Sequence, residues 1–354
     1  MFRPAGARLR LRQLRLLRLG PLRVAMAAAQ PRAQLPLLPA EPDWQLLDQR
    51  ERGTAFIAVG TRTILNSPAS THMGFWSINP YIGCEFGCTY CYARDTHRYA
   101  VEREQERAQS EGAPSPLVSL DELPPWLAFE RRILVKKDAA QRLARSLDPA
   151  RLGGAWLMIG TATDPYQPAE RSFRITRSLL EVIAAHRGIR LGIVTKSPLV
   201  VRDLDLLQRI AERNSVRVNI SLATADARLA RRLESRSPVP AARLRALRRL
   251  SAAGIDTGLY IAPILPGITD DRAGLERLFT AARDAGARHI MGAPLRLGPA
   301  ARARFLPHLE REFPELAASY RKHYAAAESA PDAYRAALSA RLESLRITCG
   351  YGEE

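Results

Sequence analysis

Three of the chain's four cysteines, Cys84, Cys88 and Cys91, fall within eight residues, and the fourth, Cys349, stands near the C-terminus. The spacing is C-x3-C-x2-C, so one tight loop brings three thiolates round a single metal centre. Gly83 and Gly87 permit the backbone turns that such a loop needs. A disulfide framework would space the cysteines differently, and the pattern suits a metal centre in a reducing, cytoplasmic compartment. An electron-transfer [4Fe–4S] cluster takes four cysteines. Three leave one iron with an open coordination position, which marks a site that binds a substrate or cofactor. The alternative is a non-enzymatic, nucleic-acid-associated Cys3His module, with zinc on Cys84, Cys88, Cys91 and His97. Its spacing departs from the paired C-x2-C clusters of structural zinc, and His97 is expected on the exposed helix that follows the loop.

The elements around this loop follow a pattern. From about residue 74, short apolar runs end in polar or Pro/Gly loops and lead into amphipathic stretches. The strands expected are Phe75–Pro80, Ala155–Thr161, Arg190–Thr195, Val216–Ser221, Thr257–Ala262 and Arg288–Met291. Helices are expected over Pro168–His186, Pro198–Arg213, Ala225–Leu233, Ala241–Ala253 and Asp270–Ala285. Strands alternating with helices predict parallel β/α units. Six units are fewer than the eight of a closed barrel. The fold class expected is therefore α/β: a partial (β/α)6 TIM-type barrel over 74–297, with an N-terminal extension over 46–73 and C-terminal helices over 298–354. Residues 54–66 have β character and suggest a small strand pair. Residues 93–127 read as a helix followed by an insertion, and 299–345 as helical.

Residues 1–45 read as a leader and linker. The first 25 hold seven arginines and no acid, like an organellar transit peptide, or else precede a true start at Met26. Without those arginines the net charge falls from +17 to +10. A basic balance suggests nucleic acid, but only four of the 53 basic residues are lysine, a bias that GC-rich coding produces by itself. No Phe, Tyr or Trp occurs from Arg174 to Gly258, through the most Arg-rich region. That spacing argues against a general single-strand binder, which interleaves stacking platforms with basic residues. No apolar run approaches a membrane span, so no membrane partner is expected.

The segment NPYIGCEFGCTYCYARDTH, residues 79–97, resembles the radical S-adenosylmethionine (SAM) superfamily, with the aromatic Tyr90 just before the last cysteine. It is most similar to the branch related to spore photoproduct lyase, often labelled DNA repair photolyase-like, over roughly 74–297. The resemblance implies a [4Fe–4S] cluster on Cys84, Cys88 and Cys91, with SAM on the open iron. It implies reductive cleavage of SAM to a 5′-deoxyadenosyl radical that abstracts hydrogen from a substrate, and it leaves that substrate open, nucleic acid among the candidates. A one-electron reductant of flavodoxin or ferredoxin type is the implied partner. By resemblance Tyr90 belongs to the SAM site, and Thr163 and Asp164 meet the SAM amino group. Lys196 meets its carboxylate or ribose, Ser221 the ribose, and the backbone at Ala262 the adenine. Helix capping by Asp164, a surface lysine at a strand end and core packing of Ala262 are the plain structural readings of the same residues. Lys196 is notable in a chain that otherwise favours arginine. Glu234-Ser235-Arg236-Ser237-Pro238 resembles an E-P-R-x-P element of this branch, and Phe129–Lys136 a segment that follows the cluster loop, with Lys136 a candidate for the active site.

Spore photoproduct lyase has a further cysteine that returns a hydrogen atom to its product. The corresponding position here falls at or beside Thr161, and no cysteine lies between Cys91 and Cys349. Cys349, flanked by glycine, is expected to be a loose end. Clean repair of the spore photoproduct is therefore not expected, and Tyr166 stands as an alternative donor.

Overall fold

The computed structural model describes residues 44–49, 53–97, 123–325 and 327–352, with positions 99, 102, 106 and 110. The expected leader and most of the insertion lie outside the described residues.

The six expected barrel strands form one parallel sheet. They are β4 (Trp76–Ile78), β7 (Trp156–Ile159), β8 (Arg190–Thr195), β9 (Ser215–Ser221), β10 (Asp256–Ile264) and β11 (His289–Pro294). Their spatial order follows their chain order, and β3 (Leu65–Asn66) adds an antiparallel edge beside β4. Each strand pairs in parallel with the next, for example Leu157 with Leu191 and Ile193 with Val218. The chain thus forms the partial α/β barrel expected.

Helices cover the outside because each carries an apolar stripe at helical spacing. Leu179, Leu180 and Ile183 of the helix Ile175–Ile183 are buried, as are Leu247 and Leu250 of Pro240–Ala252 and Leu275, Leu278 and Phe279 of Arg272–Asp284. Each such side chain contributes about 1.5–3 kcal/mol relative to exposure. The long helix expected over Pro168–His186 is broken instead. Arg174 adopts a left-handed φ of 51° between Glu170–Phe173 and Ile175–Ile183. The buried Glu170 carboxylate accepts from the backbone N–H of Thr176 (2.9 Å) and Arg177 (3.2 Å), so an anion caps the second helix at its positive end. Pro198–Asp203 is likewise a 3-10 turn that precedes the helix Leu204–Ala211.

A second sheet was not legible in the sequence. Its order is β1 (Trp44–Gln49), β2 (Ala55–Val59), β6 (Arg132–Val135) and β5 (Tyr81–Ile82). The two β segments of 54–66 therefore do not pair with each other: β2 joins this sheet and β3 the barrel. The chain leaves the barrel at Ile78 and enters the second sheet at Tyr81, directly before Cys84. The cysteine loop is thus slung between two sheets.

The C-terminal segment is helical, as expected: Pro299–Glu312, Pro314–Tyr324 and Asp332–Thr348. Phe305, Leu309, Phe313, Tyr320 and Tyr324 pack into one cluster with Cys84, Phe86, Cys88 and Phe129, so the first two helices close over the cysteine loop. The last helix packs on the barrel. The tail beyond it is no loose end: Cys349 and Tyr351 are buried, and the Tyr351 hydroxyl donates to the Phe279 carbonyl at 3.1 Å. Among the described residues no helix is long and apolar enough to cross a membrane.

Candidate active site

The cysteine loop is held from several sides. Cys84 N–H donates to the Phe129 carbonyl at 2.9 Å. Thr163 Oγ1 donates to the Gly83 carbonyl at 2.6 Å, and Gln167 Nε2 to the same oxygen at 3.1 Å. Gln167 Oε1 also accepts from Glu85 N–H at 2.9 Å. Thr89 N–H and Oγ1 both donate to the Leu233 carbonyl. Gly87 has a φ of +56°, and a Cβ there would collide with the Arg236 guanidinium and the Glu130 carboxylate. The turn therefore favours glycine, and another residue there would be strained.

Cys84, Cys88 and Cys91 face a cavity of about 750 Å³, and none is in a disulfide. Tyr90, Thr163, Asp164, Lys196, Ser221 and Ala262 line the same cavity, so the strand ends and the loop bring these six together with the three cysteines. His97 is not among the lining residues. It is 1% exposed rather than on an open helix face, with Nε2 3.3 Å from the Arg132 carbonyl and its ring against Phe129. These contacts with Arg132 and Phe129 hold it inside. Tyr166 and Lys136 are also outside the cavity lining; Tyr166 is buried, and Lys136 Nζ donates to the Asn79 carbonyl at 2.9 Å.

Asp164 is committed to the scaffold. Its carboxylate accepts from Thr195 Oγ1 (2.7 Å), Lys196 N–H (2.7 Å) and Tyr166 N–H (2.9 Å), tying β7 to β8 at the cavity floor. Burial raises its pKa, and these donors work in the opposite direction.

Beneath Lys196 lies a charge system that sequence reading passed over. Lys196 Nζ donates to Glu234 Oε1 (3.0 Å), Tyr90 Oη (3.2 Å) and Ser221 Oγ (3.3 Å). The Tyr90 hydroxyl donates to Glu234, whose other oxygen is paired with Arg243. Arg243 also donates to the Ser221 carbonyl at 3.0 Å. Burial pushes the Glu234 carboxyl up, but Lys196 and Arg243 outweigh it and hold its pKa at about 2. Two cations thus share one buried anion beneath the cavity. Glu234 and Arg236 stood in a motif noted in the sequence. Arg243 carried no signal, being one arginine among many.

The cysteines fit a cluster. Burial raises all three thiol pKa values, Cys88 to about 11, and Cys88 and Cys91 each push Cys84 further up. Three thiolates here therefore need a cationic core between them. Ser237 Oγ lies 3.4 Å from Cys88 Sγ, within reach of a ligated sulfur. Among the described residues, no three His, Cys, Asp or Glu are clustered as ligands of one ion. A four-iron cube asks for something else, since each thiolate takes a different iron and the sulfurs stand apart.

A family model described as the radical SAM superfamily matches residues 78–278. This chain belongs to the radical SAM superfamily. Among curated relatives, an uncharacterized protein of Mycobacterium tuberculosis is 32% identical over 295 residues, covering 83% of this chain and 80% of that protein. An uncharacterized protein of Methanocaldococcus jannaschii is 29% identical over 193 residues, covering 54% of this radical SAM chain and 61% of that one. Among solved structures, a spore photoproduct lyase variant with bound AdoMet and dinucleoside spore photoproduct aligns with a TM-score of 0.56 at 18% identity, covering 83% of this chain and 79% of that one. At that identity the likeness is one of fold: the partial barrel of this radical SAM protein is that of the lyase.

Proposed function

We propose that this protein binds a [4Fe–4S] cluster on Cys84, Cys88 and Cys91 and uses it to cleave SAM reductively for hydrogen abstraction from a bound substrate. The observation that carries the reading is the joint lining of one cavity by three unbridged cysteines and by Tyr90, Thr163, Asp164, Lys196, Ser221 and Ala262. When bound, the reduced cluster supplies the electron that splits the SAM sulfonium into methionine and a 5′-deoxyadenosyl radical.

The chain's own residues bind, orient and exclude water. Lys196 offers positive charge to the methionine carboxylate. Its Nζ already has three partners, so ligand binding shares this ammonium with Glu234 and leaves the Arg243–Glu234 pair as its support. Ser221 Oγ, which lies 3.5 Å from the Ala262 carbonyl, stands where a ribose hydroxyl would meet β9 and β10. Asp164 and Thr163 fix the floor. The cavity walls are mostly apolar and include Phe75, Trp156, Met158 and Met291, which keeps a reactive radical away from water and from exchangeable hydrogens.

The substrate class supported best is nucleic acid. The spore photoproduct lyase of matching fold was solved with a dinucleoside, and Arg217 and Arg296 lie in the wall of the present cavity. The test is anaerobic reconstitution, iron counting and detection of 5′-deoxyadenosine after dithionite reduction, with damaged oligonucleotides and a metabolite extract as substrates. About four irons per chain are expected. Zinc in place of iron, or no 5′-deoxyadenosine, would reject the reading.

A further inference from the structure

Beside the cysteine loop, Glu130 is the centre of an arginine cluster. Arg94 Nη2 donates to Glu130 Oε1 at 2.6 Å, Arg304 Nε approaches the same oxygen at 3.3 Å, and Arg236 pairs with Oε2. None of these four residues lines the cavity. Arg94 is fully buried and also donates to the Cys88 carbonyl at 2.7 Å. Arg236 is 33% exposed, and its guanidinium rests on Gly87. Along the helix Pro299–Glu312, Arg304, His308 and Arg311 share one face at helical spacing. Arg311 Nη2 lies 3.2 Å from His308 Nδ1, and Arg232, from the helix Ala227–Leu233, joins this face through Glu312. Burial, with Arg304 and Arg311 next, holds His308 down at about 4, so it adds no charge. Five arginines therefore face two carboxylates, Glu130 and Glu312. The two outermost, Arg232 and Arg311, are 42% and 67% exposed.

Such a face attracts an acidic partner. Its position selects which one. Arg236 rests on Gly87 and Arg94 bonds the Cys88 carbonyl, so the face adjoins the loop backbone, while neither arginine lines the cavity that a substrate must enter. Electron transfer weakens steeply with distance, so a donor belongs close to the loop but off the cavity that admits substrate. We propose that this arginine face is the docking surface for an acidic one-electron carrier protein of the flavodoxin or ferredoxin class. The inference rests on the cluster reading above. In the step, the carrier is oxidised by one electron and the centre on the cysteines is reduced by one; no atom is transferred.

The test uses the full chain, reconstituted anaerobically, with a bacterial flavodoxin as the probe. Calorimetry measures its binding, and stopped-flow absorbance measures reduction by flavodoxin hydroquinone and, separately, by dithionite. The wild type should bind more weakly as salt rises. The double variant Arg232→Glu/Arg311→Glu should lose about tenfold or more in affinity and in reduction rate by flavodoxin. Iron content and reduction by dithionite should stay unchanged, and Arg335→Glu, on the remote last helix, should behave as wild type. If the double variant fails to take up iron, Arg311→Gln carries the same readout, its side chain lying mostly in solvent. Unchanged affinity and rate in an iron-loaded variant, or salt-insensitive binding, overturns the proposal. So does loss of DNA affinity with flavodoxin reduction intact, which assigns the face to nucleic acid. A wild type that takes up no iron refutes the cluster reading instead, which separates the two failures.

Discussion

Glu234→Gln isolates the buried charge system under the cavity. The substitution keeps the side chain's shape but removes the anion shared by Lys196, Arg243 and Tyr90. Arg243 is fully buried at its side chain and Lys196 mostly so, and among the described residues neither has a second carboxylate partner. Breaking a buried pair from one side costs about 3–5 kcal/mol. The pKa gives a second measure. A carboxyl held at about 2 rather than 4.5 corresponds to about 3 kcal/mol, at 1.36 kcal/mol per unit. The two routes agree in size. Because the folded pKa is depressed, this stability is present above pH 4.5 and is lost as pH falls towards 2. Urea denaturation of the metal-free chain across that window is the assay. The wild type should lose stability on acidification, whereas Glu234→Gln should start about 3 kcal/mol lower and lack that part of the slope. In a double-mutant cycle, adding Lys196→Met should recover part of the loss, since it removes one of the stranded cations. A Glu234→Gln chain within about 0.5 kcal/mol of wild type, with the same acid limb, would refute the reasoning.

Gly87→Ala should impair iron uptake, since its backbone is left-handed and Arg236 occupies the space; iron analysis after reconstitution checks it, and normal loading would show that the loop can relax. Cys88→Ala should strip most of the iron, whereas Cys349→Ala should leave iron intact and cost about 1 kcal/mol in unfolding, because Cys349 is buried in the barrel core. Tyr90→Phe should keep the iron but weaken SAM binding severalfold in equilibrium dialysis, because it removes a hydroxyl that orients both Lys196 and Glu234. With dinucleoside spore photoproduct, chromatography should show little clean conversion to thymines. Thr161 lines the cavity, its hydroxyl hydrogen is held more strongly than a thiol's, and Cys349 lies outside that lining; turnover matching SAM cleavage would overturn this.

Much of the barrel was legible in the sequence because its signals are local. Six apolar runs, each followed by an amphipathic stretch, set strand and helix types and their parallel order, and C-x3-C-x2-C set three cysteines on one short loop. Periodicity does not report partners distant in sequence. Ala55–Val59 reads as β, yet only the tertiary structure pairs it with Arg132–Val135 rather than with Leu65–Asn66. The same holds for Cys349 and His97, whose flanking residues suggest exposure while packing buries both. The charge system is the furthest from sequence. Lys196, Glu234 and Arg243 come from three separate elements, and each is an ordinary charged residue until the barrel closes round them. What makes them special is low-dielectric burial beside one another, a property of position that no residue carries in its own neighbourhood of the chain.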